Sequence, residues 1–371
     1  DNFVPRLSTW RVALTMAIAV TGVVCGSRAQ TLRPGDRAPL QTSTHMTQVP
    51  ARPFDVVLAR PTDRSVTLSL RSTQSRNIAV FYGHAGGTAV PGPTIALAAG
   101  VPGEAVLGDL VPDAEYSFEL RAADGMAEPY TGRFHTQRLR GQSFTFTITA
   151  DSHLDAGTRA ELYARTLTNI AADRPDFHVD LGDTFMTEKY ESGFKEALPQ
   201  YLAQRYWFGL LRAPLFLALG NHDGEQGSRG SLTWATQTRK RLFPNPEPDG
   251  FYTGNEQSEP VTGLPQNYYQ WKWGDAQFIV LDPFRYTTQR GRDGNNWSWT
   301  LGDRQYRWLK ASLENTTAGY RFVFLHHLVG GSPGNSRGGI EVARLWEWGG
   351  ESPDGTNEFR SEEHTSELQS H

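Results

Sequence analysis

Leu215-Phe216-Leu217-Ala218-Leu219-Gly220-Asn221-His222-Asp223 is the stretch on which the fold reading turns. Its first five residues form a short apolar run, bounded by glycine, that reads as a strand. Residues able to bind a metal follow at once. The same grammar recurs on both sides. Ser143 to Thr149 alternates with period two and runs into Asp151-Ser152-His153. Asp176 to Leu181 reads as a strand ending at Gly182-Asp183, and Tyr320 to Leu325 as one ending at His326-His327. Between these strands, Glu161 to Ala172 carries apolar residues at 162, 163, 167, 170 and 171, a helical stripe. Tyr190 to Leu211 reads as mostly helical, with a kink or split at Pro199, and Leu301 to Leu313 as another helix. Tyr268 to Trp273 and Ala276 to Leu281 read as a hairpin about Gly274-Asp275, within an otherwise irregular, aromatic-rich region from Gly224 to Thr300. In open α/β sheets, ligands gather in the crevice beyond the carboxyl ends of the strands, so four strand ends carrying ligand residues converge on one site.

Ahead of this region the grammar is all β. From Phe54 to Gln137, short strands lie between turn-forming clusters, and Ser65 to Leu70 alternates as a half-buried strand should. Evenly spaced strands without helices predict a β-sandwich. Leu110-Val111-Pro112-Asp113-Ala114-Glu115-Tyr116-Ser117-Phe118 resembles the tyrosine corner of fibronectin type III domains. That resemblance implies that the Tyr116 hydroxyl ties its strand back to the preceding loop. The expected organisation is a signal peptide at 1–29, a flexible leader at 30–51, a fibronectin III-like domain at 52–138 and an α/β domain at 143–359.

The termini stand apart. Arg6 and Arg11 precede an apolar run from Val12 to Val24, and Ser27-Arg28-Ala29 offers a cleavage site, so export to the periplasm or the exterior is expected. The run is too short for a stable membrane span, which needs about 20 residues. Arg360 to Ser370 back-translates to a sequencing-adapter oligonucleotide, so residues 360–371 read as an artefact and the natural chain is expected to continue past Phe359. The chain has 371 residues and a formal net charge of −4, which argues against a nucleic-acid scaffold as partner. Hydrophobic residues at 38% supply enough material for a core, which excludes a wholly disordered chain. The one cysteine, Cys25, leaves no internal disulfide.

Carboxylate, imidazole and amide oxygen together suit a transition-metal ion. The ordered set Asp151-Ser152-His153, Gly182-Asp183, Gly220-Asn221-His222-Asp223 and His326 resembles the calcineurin-like metallophosphoesterases, which include the purple acid phosphatases. The resemblance covers about 144–359. It implies a metallophosphoesterase β-sandwich core flanked by helices, and a centre of two metal ions, Fe, Zn or Mn. Asp151 and His153 would hold the first ion, Asp183 would bridge, and Asn221 and His326 would hold the second. His222 would stand beside the substrate, oriented through the hydrogen bond it donates to Asp223, and water would attack a small-molecule, lipid or nucleotide phosphoester. Three departures stand out. Met186 occupies the family's Asp or Tyr position, His327 competes with His326 and is a possible substrate-side residue, and no Gly-His-x-His occurs. A chain lacking those two histidines is expected to bind metal weakly and turn over slowly. The competing expectation is a non-catalytic exported binding or adhesion protein with an inert phosphoesterase domain. Asp155 is expected to cap a helix, His178 to be a satisfied core histidine, and the tryptophans between 271 and 299 to pack loops.

Overall fold

The computed structural model describes residues 45–123, 125, 129–190, 193–287 and 300–326. The signal peptide, most of the leader, His327 and residues 360–371 lie outside these. The described chain begins with two antiparallel sheets. One has the order β1-β2-β5, from Asp55–Ala59, Val66–Arg71 and Gly103–Leu107. The other has the order β4-β3-β6-β7, from Val90–Leu97, Arg76–His84, Glu115–Ala122 and Tyr130–His135. Period-two alternation in β6 turns Tyr116, Phe118 and Leu120 inward, where they meet Leu68, Ile78, Val80 and Phe134 in one core. The Tyr116 hydroxyl accepts the Val111 N–H at 2.9 Å, the tie expected at this corner. Strand β4 was hidden in the sequence by Pro91, Gly92 and Pro93. It lies at the sheet edge, where a proline costs no ladder bond.

Two further sheets form the second half. Strands β8 (Phe146–Thr149), β9 (Phe177–Asp180) and β10 (Leu215–Leu217) are parallel, in the order β10-β9-β8. Strands β11 (Thr253–Gly254), β12 (Tyr269–Trp273), β13 (Ala276–Val280) and β14 (Tyr320–Phe324) form a mixed sheet, with β12 and β13 joined as the expected hairpin. The sheets face each other across an aromatic core. Phe216 stacks on Trp271 at 4.0 Å, and Phe177 meets Trp271, Trp273 and Phe278 edge-on. Burying a Phe-sized ring contributes about 1.5–3 kcal/mol. Trp271 and Trp273 are therefore core residues of this layer, not loop packing. Helices α1 (Ala160–Asp173) and α2 (Leu198–Gly209) supply Leu167, Ile170, Tyr201 and Phe208 to a second core that also takes Leu215 and Leu217. Helix α4 (Gly302–Glu314) brings Trp308, Leu309 and Leu313 against Ile279 and Leu281 of the mixed sheet. The result is the expected sandwich core flanked by helices.

The helical stretch is split here as expected, a 3-10 turn at Phe194–Ala197 giving way to α2 at Leu198, and Pro199 does not kink α2. It lies in the first turn of α2, where its missing N–H has no intrahelical partner to lose. Helix α3 (Leu232–Leu242) falls inside the region read as irregular. Its buried face mixes Ala235 and Leu242 with Thr236, Thr238 and Arg239, so no continuous apolar stripe marks it. Arg239 is satisfied by the buried Glu225 carboxylate, Nε to Oε1 at 2.5 Å. The two halves are fastened by buried polar ties. Arg205 of α2 donates to the Ser69 carbonyl at 3.0 Å, the Tyr252 hydroxyl donates to the Pro61 carbonyl, and Leu58 bridges to Pro214. Within the expected flexible leader, Met46 and Val49 pack against the core shared by α1 and α2.

Candidate metal centre

The parallel register aligns Thr149 with Asp180 and Asp180 with Leu217, so the loops after β8, β9 and β10 leave the sheet side by side. Gly182 and Gly220 let two of these loops touch. A side chain at Gly182 would strike the Gly220 backbone, and one at Gly220 would strike Asp183. Gly182 also has φ of +99°, open to glycine. Asp151, His153 and Asp183 are themselves left-handed, with φ of +56°, +50° and +52°. Left-handed backbone costs roughly 1–2 kcal/mol per residue and clusters at functional sites. From the other sheet, β14 delivers His326, whose Nδ1 lies 3.1 Å from the Leu181 carbonyl.

Asp183 lies at the middle. It is almost fully buried, and its Oδ1 accepts the His222 N–H at 2.8 Å. Its Oδ2 is left between two imidazoles, 3.4 Å from His153 Nε2 and 3.3 Å from His326 Nε2. Asp151 Oδ1 is 3.5 Å from the same His153 nitrogen. That nitrogen is buried and has no hydrogen-bond partner. An orphaned imidazole nitrogen facing two carboxylates is the donor set a divalent or trivalent cation requires. Ligand atoms of Asp151, His153 and Asp183 all lie within 4.8 Å of one another, so the residues fit one ion. Asn221 is half-buried in the turn after β10, next to His222.

The electrostatics agree. Asp151, together with Asp183, pulls the His153 pKa up to about 10, against the opposing effect of burial. Burial would raise Asp183, but His153 and His326 outweigh it and hold its carboxyl well below the usual carboxylate range. Burial lowers His326 and Asp183 more than compensates, so its pKa rises. Because the folded His153 pKa exceeds the ordinary 6.5, its ion pairing stabilises the metal-free chain fully below about pH 6.5 and is lost towards pH 10. At pH 8 His153 therefore carries a proton that a cation must displace. Calorimetric metal titrations in buffers of different ionisation enthalpy are expected to show proton release at pH 8. Identical heats in all buffers would contradict it.

Two expected partners are revised. Asp223 does not orient His222. Its carboxylate is buried and accepts the backbone N–H groups of Gly220 at 2.6 Å, Phe185 at 2.7 Å and Asp183 at 3.2 Å, which holds the two loops together. The partner of His222 is Glu188, whose Oε1 is 2.6 Å from His222 Nδ1 and whose Oε2 meets Arg229 at 2.5 Å. Glu188 was missed because it lies two residues beyond Met186, in a short helical turn at Thr187–Lys189. The signal available was an acidic residue near the expected Asp or Tyr position. Asp155 does not cap α1, which begins after Arg159. It closes an Asx turn with the Gly157 N–H at 2.9 Å, and its other oxygen is 3.5 Å from His153 Nδ1. His178 is a core histidine, paired with Thr147 and Thr149 at 2.8 and 2.9 Å.

Comparison with known proteins follows the same lines. No curated protein matches this chain in sequence. Among solved structures, the chain is similar to PhoD at 19% identity and a TM-score of 0.52, over 77% of this chain and 63% of that one, which speaks for a shared fold. The chain thus spans less than two thirds of PhoD's length. The sensor domain of the anti-sigma factor RsgI4 from Pseudobacteroides cellulosolvens matches 24% of this chain and 97% of its own length, at 18% identity and a TM-score of 0.20. The calcineurin-like phosphoesterase family matches residues 144–350. That span holds every strand-end residue described above, and the chain belongs to the calcineurin-like phosphoesterase family.

Proposed function

We propose that this chain is a metal-dependent phosphoesterase, exported from the cell, that hydrolyses phosphate mono- or diesters at a centre of two metal ions. The observation that carries the reading is Asp183 Oδ2, set between His153 Nε2 and His326 Nε2 at 3.4 and 3.3 Å. Asp151 and His153 would hold one ion, Asn221 and His326 the other, with Asp183 between them. When bound, such ions acidify water and neutralise charge building on a phosphoryl group. The chain's own residues do the rest. The His222 amide fixes the orientation of the Asp183 carboxylate. Glu188 takes His222 Nδ1, which directs Nε2 towards Asp183, 3.9 Å away. From there Nε2 can donate a proton to the leaving oxygen or hydrogen-bond a phosphoryl oxygen. Asp223 acts on the backbone, not on the substrate. The N-terminal sandwich is read as a fibronectin III-like support, on its strand order and its Tyr116 tie.

The test is reconstitution. Metal-stripped protein is expected to leave p-nitrophenyl phosphate and bis(p-nitrophenyl) phosphate intact, and Mn, Fe or Zn to restore hydrolysis. Full-length protein that takes up none of these metals and cleaves neither ester contradicts the reading.

A further inference from the structure

The loop that carries Asp151 and His153 is held in a conformation its sequence does not favour. Asp151, His153 and Leu154 all have left-handed backbone, and Leu154 has no polar side chain to offset it. Such a loop persists only where its surroundings fix it. Three successive carbonyls show how. The Ser152 oxygen accepts from the Thr158 hydroxyl at 3.0 Å, within the loop itself. The His153 oxygen accepts from Gln200 of α2. The Leu154 oxygen accepts from the backbone N–H of Met46 at 2.6 Å. That last donor comes from ahead of the β-sandwich. Its neighbours anchor it there. Met46 and Val49 pack against the core that takes the buried Leu154 side chain, and the His45 ring stacks on Tyr190 at 4.2 Å. The Tyr190 hydroxyl in turn reaches Gln200, the clamp on His153.

We infer that residues 45–49 form a positioning strap for the metal loop, with the Met46 amide fixing Leu154 and through it the direction of His153. The strap touches no reacting atom. Relaxing residue 154 to an ordinary backbone conformation would turn the preceding residue, and His153 Nε2 would leave its place opposite Asp151 and Asp183. The inference rests on the metal-dependent reading proposed above. It makes a segment preceding the sandwich part of the centre, and it implies that cation binding and strap docking strengthen each other by the same factor.

Two experiments on the full chain test it. In the first, Mn affinity is measured by calorimetry for the wild type, Met46→Leu, Met46→Pro and a chain shortened to begin at Thr47. Met46→Leu keeps the amide and is expected to match the wild type. Met46→Pro and the shortened chain are expected to bind Mn about tenfold more weakly, as outer-shell losses do. In the second, amide hydrogen exchange at Met46 is followed in the wild type with and without saturating Mn, which needs no variant to fold. Exchange is expected to slow by about the same tenfold. Mn binding within twofold of Met46→Leu in both altered chains, or a Met46 amide indifferent to Mn, overturns the strap while leaving the metal reading intact. A wild-type chain that binds no Mn at all removes both.

Discussion

Asp183→Asn is expected to abolish function by removing the metals rather than the fold. Among the described residues, its Oδ2 is the carboxylate oxygen that faces both His153 and His326. An amide at this place offers a neutral oxygen, or an N–H, to a cation that needs a negative charge. Losses at outer-shell partners alone weaken metal binding about 10–100-fold, so loss of the central ligand should exceed about 100-fold. Hydrolysis should fall to background at any accessible metal concentration. The Asn side chain keeps the volume and can still accept the His222 N–H, but the ion pairs with His153 and His326 are lost, so the metal-free variant is expected to stay folded and to unfold somewhat below the wild type. Calorimetric Mn titration and thermal unfolding, run on the same preparations, separate the two. Wild-type affinity in Asp183→Asn would show that the ions bind elsewhere.

His222→Ala carries the second large effect, of a different kind. Its imidazole stands 3.9 Å from Asp183 Oδ2, with Nδ1 committed to Glu188. A positioned proton donor contributes about 10²–10⁴-fold to rate. His222→Ala should lose that factor in kcat while changing Mn affinity less than tenfold, because the backbone N–H that holds Asp183 Oδ1 survives the substitution. Glu188→Gln should give a smaller loss in kcat, about tenfold, since the amide oxygen still accepts from Nδ1 but no longer stabilises an imidazolium. Equal losses of metal and rate in His222→Ala would make it a ligand instead. An unchanged kcat would remove it from the reaction.

The strand ends were legible because each joins a local pattern to a chemical one: an apolar run, a glycine or tight turn, then a ligand-type side chain. Asp151, His153, Asp183 and His326 were proposed on this pattern, and the parallel register of β8 and β9 does bring the first three together. What escaped is pairing that no periodicity records. Glu188 and Asp223 are both acids near His222, and sequence adjacency favoured Asp223. In the fold, Asp223 turns towards three backbone amides, and Glu188 reaches across from the loop after β9. Helix α3 escaped because Arg239, Thr236 and Thr238 interrupt its buried face, where a continuous stripe of apolar residues would announce a helix. The leader escaped for the opposite reason. It reads as polar coil, and among its described residues Met46 and Val49 dock against the core, His45 stacks on Tyr190, and the Met46 backbone amide, which leaves no mark in sequence, ties to Leu154.

Anomalous diffraction from Mn-loaded crystals tests the central claim most directly. Two peaks about 3.5–4 Å apart, with Asp183 between them, Asp151 and His153 on one side and Asn221 and His326 on the other, are the expected result. Peaks lying away from Asp183, or none in crystals of a protein saturated with Mn, would contradict it.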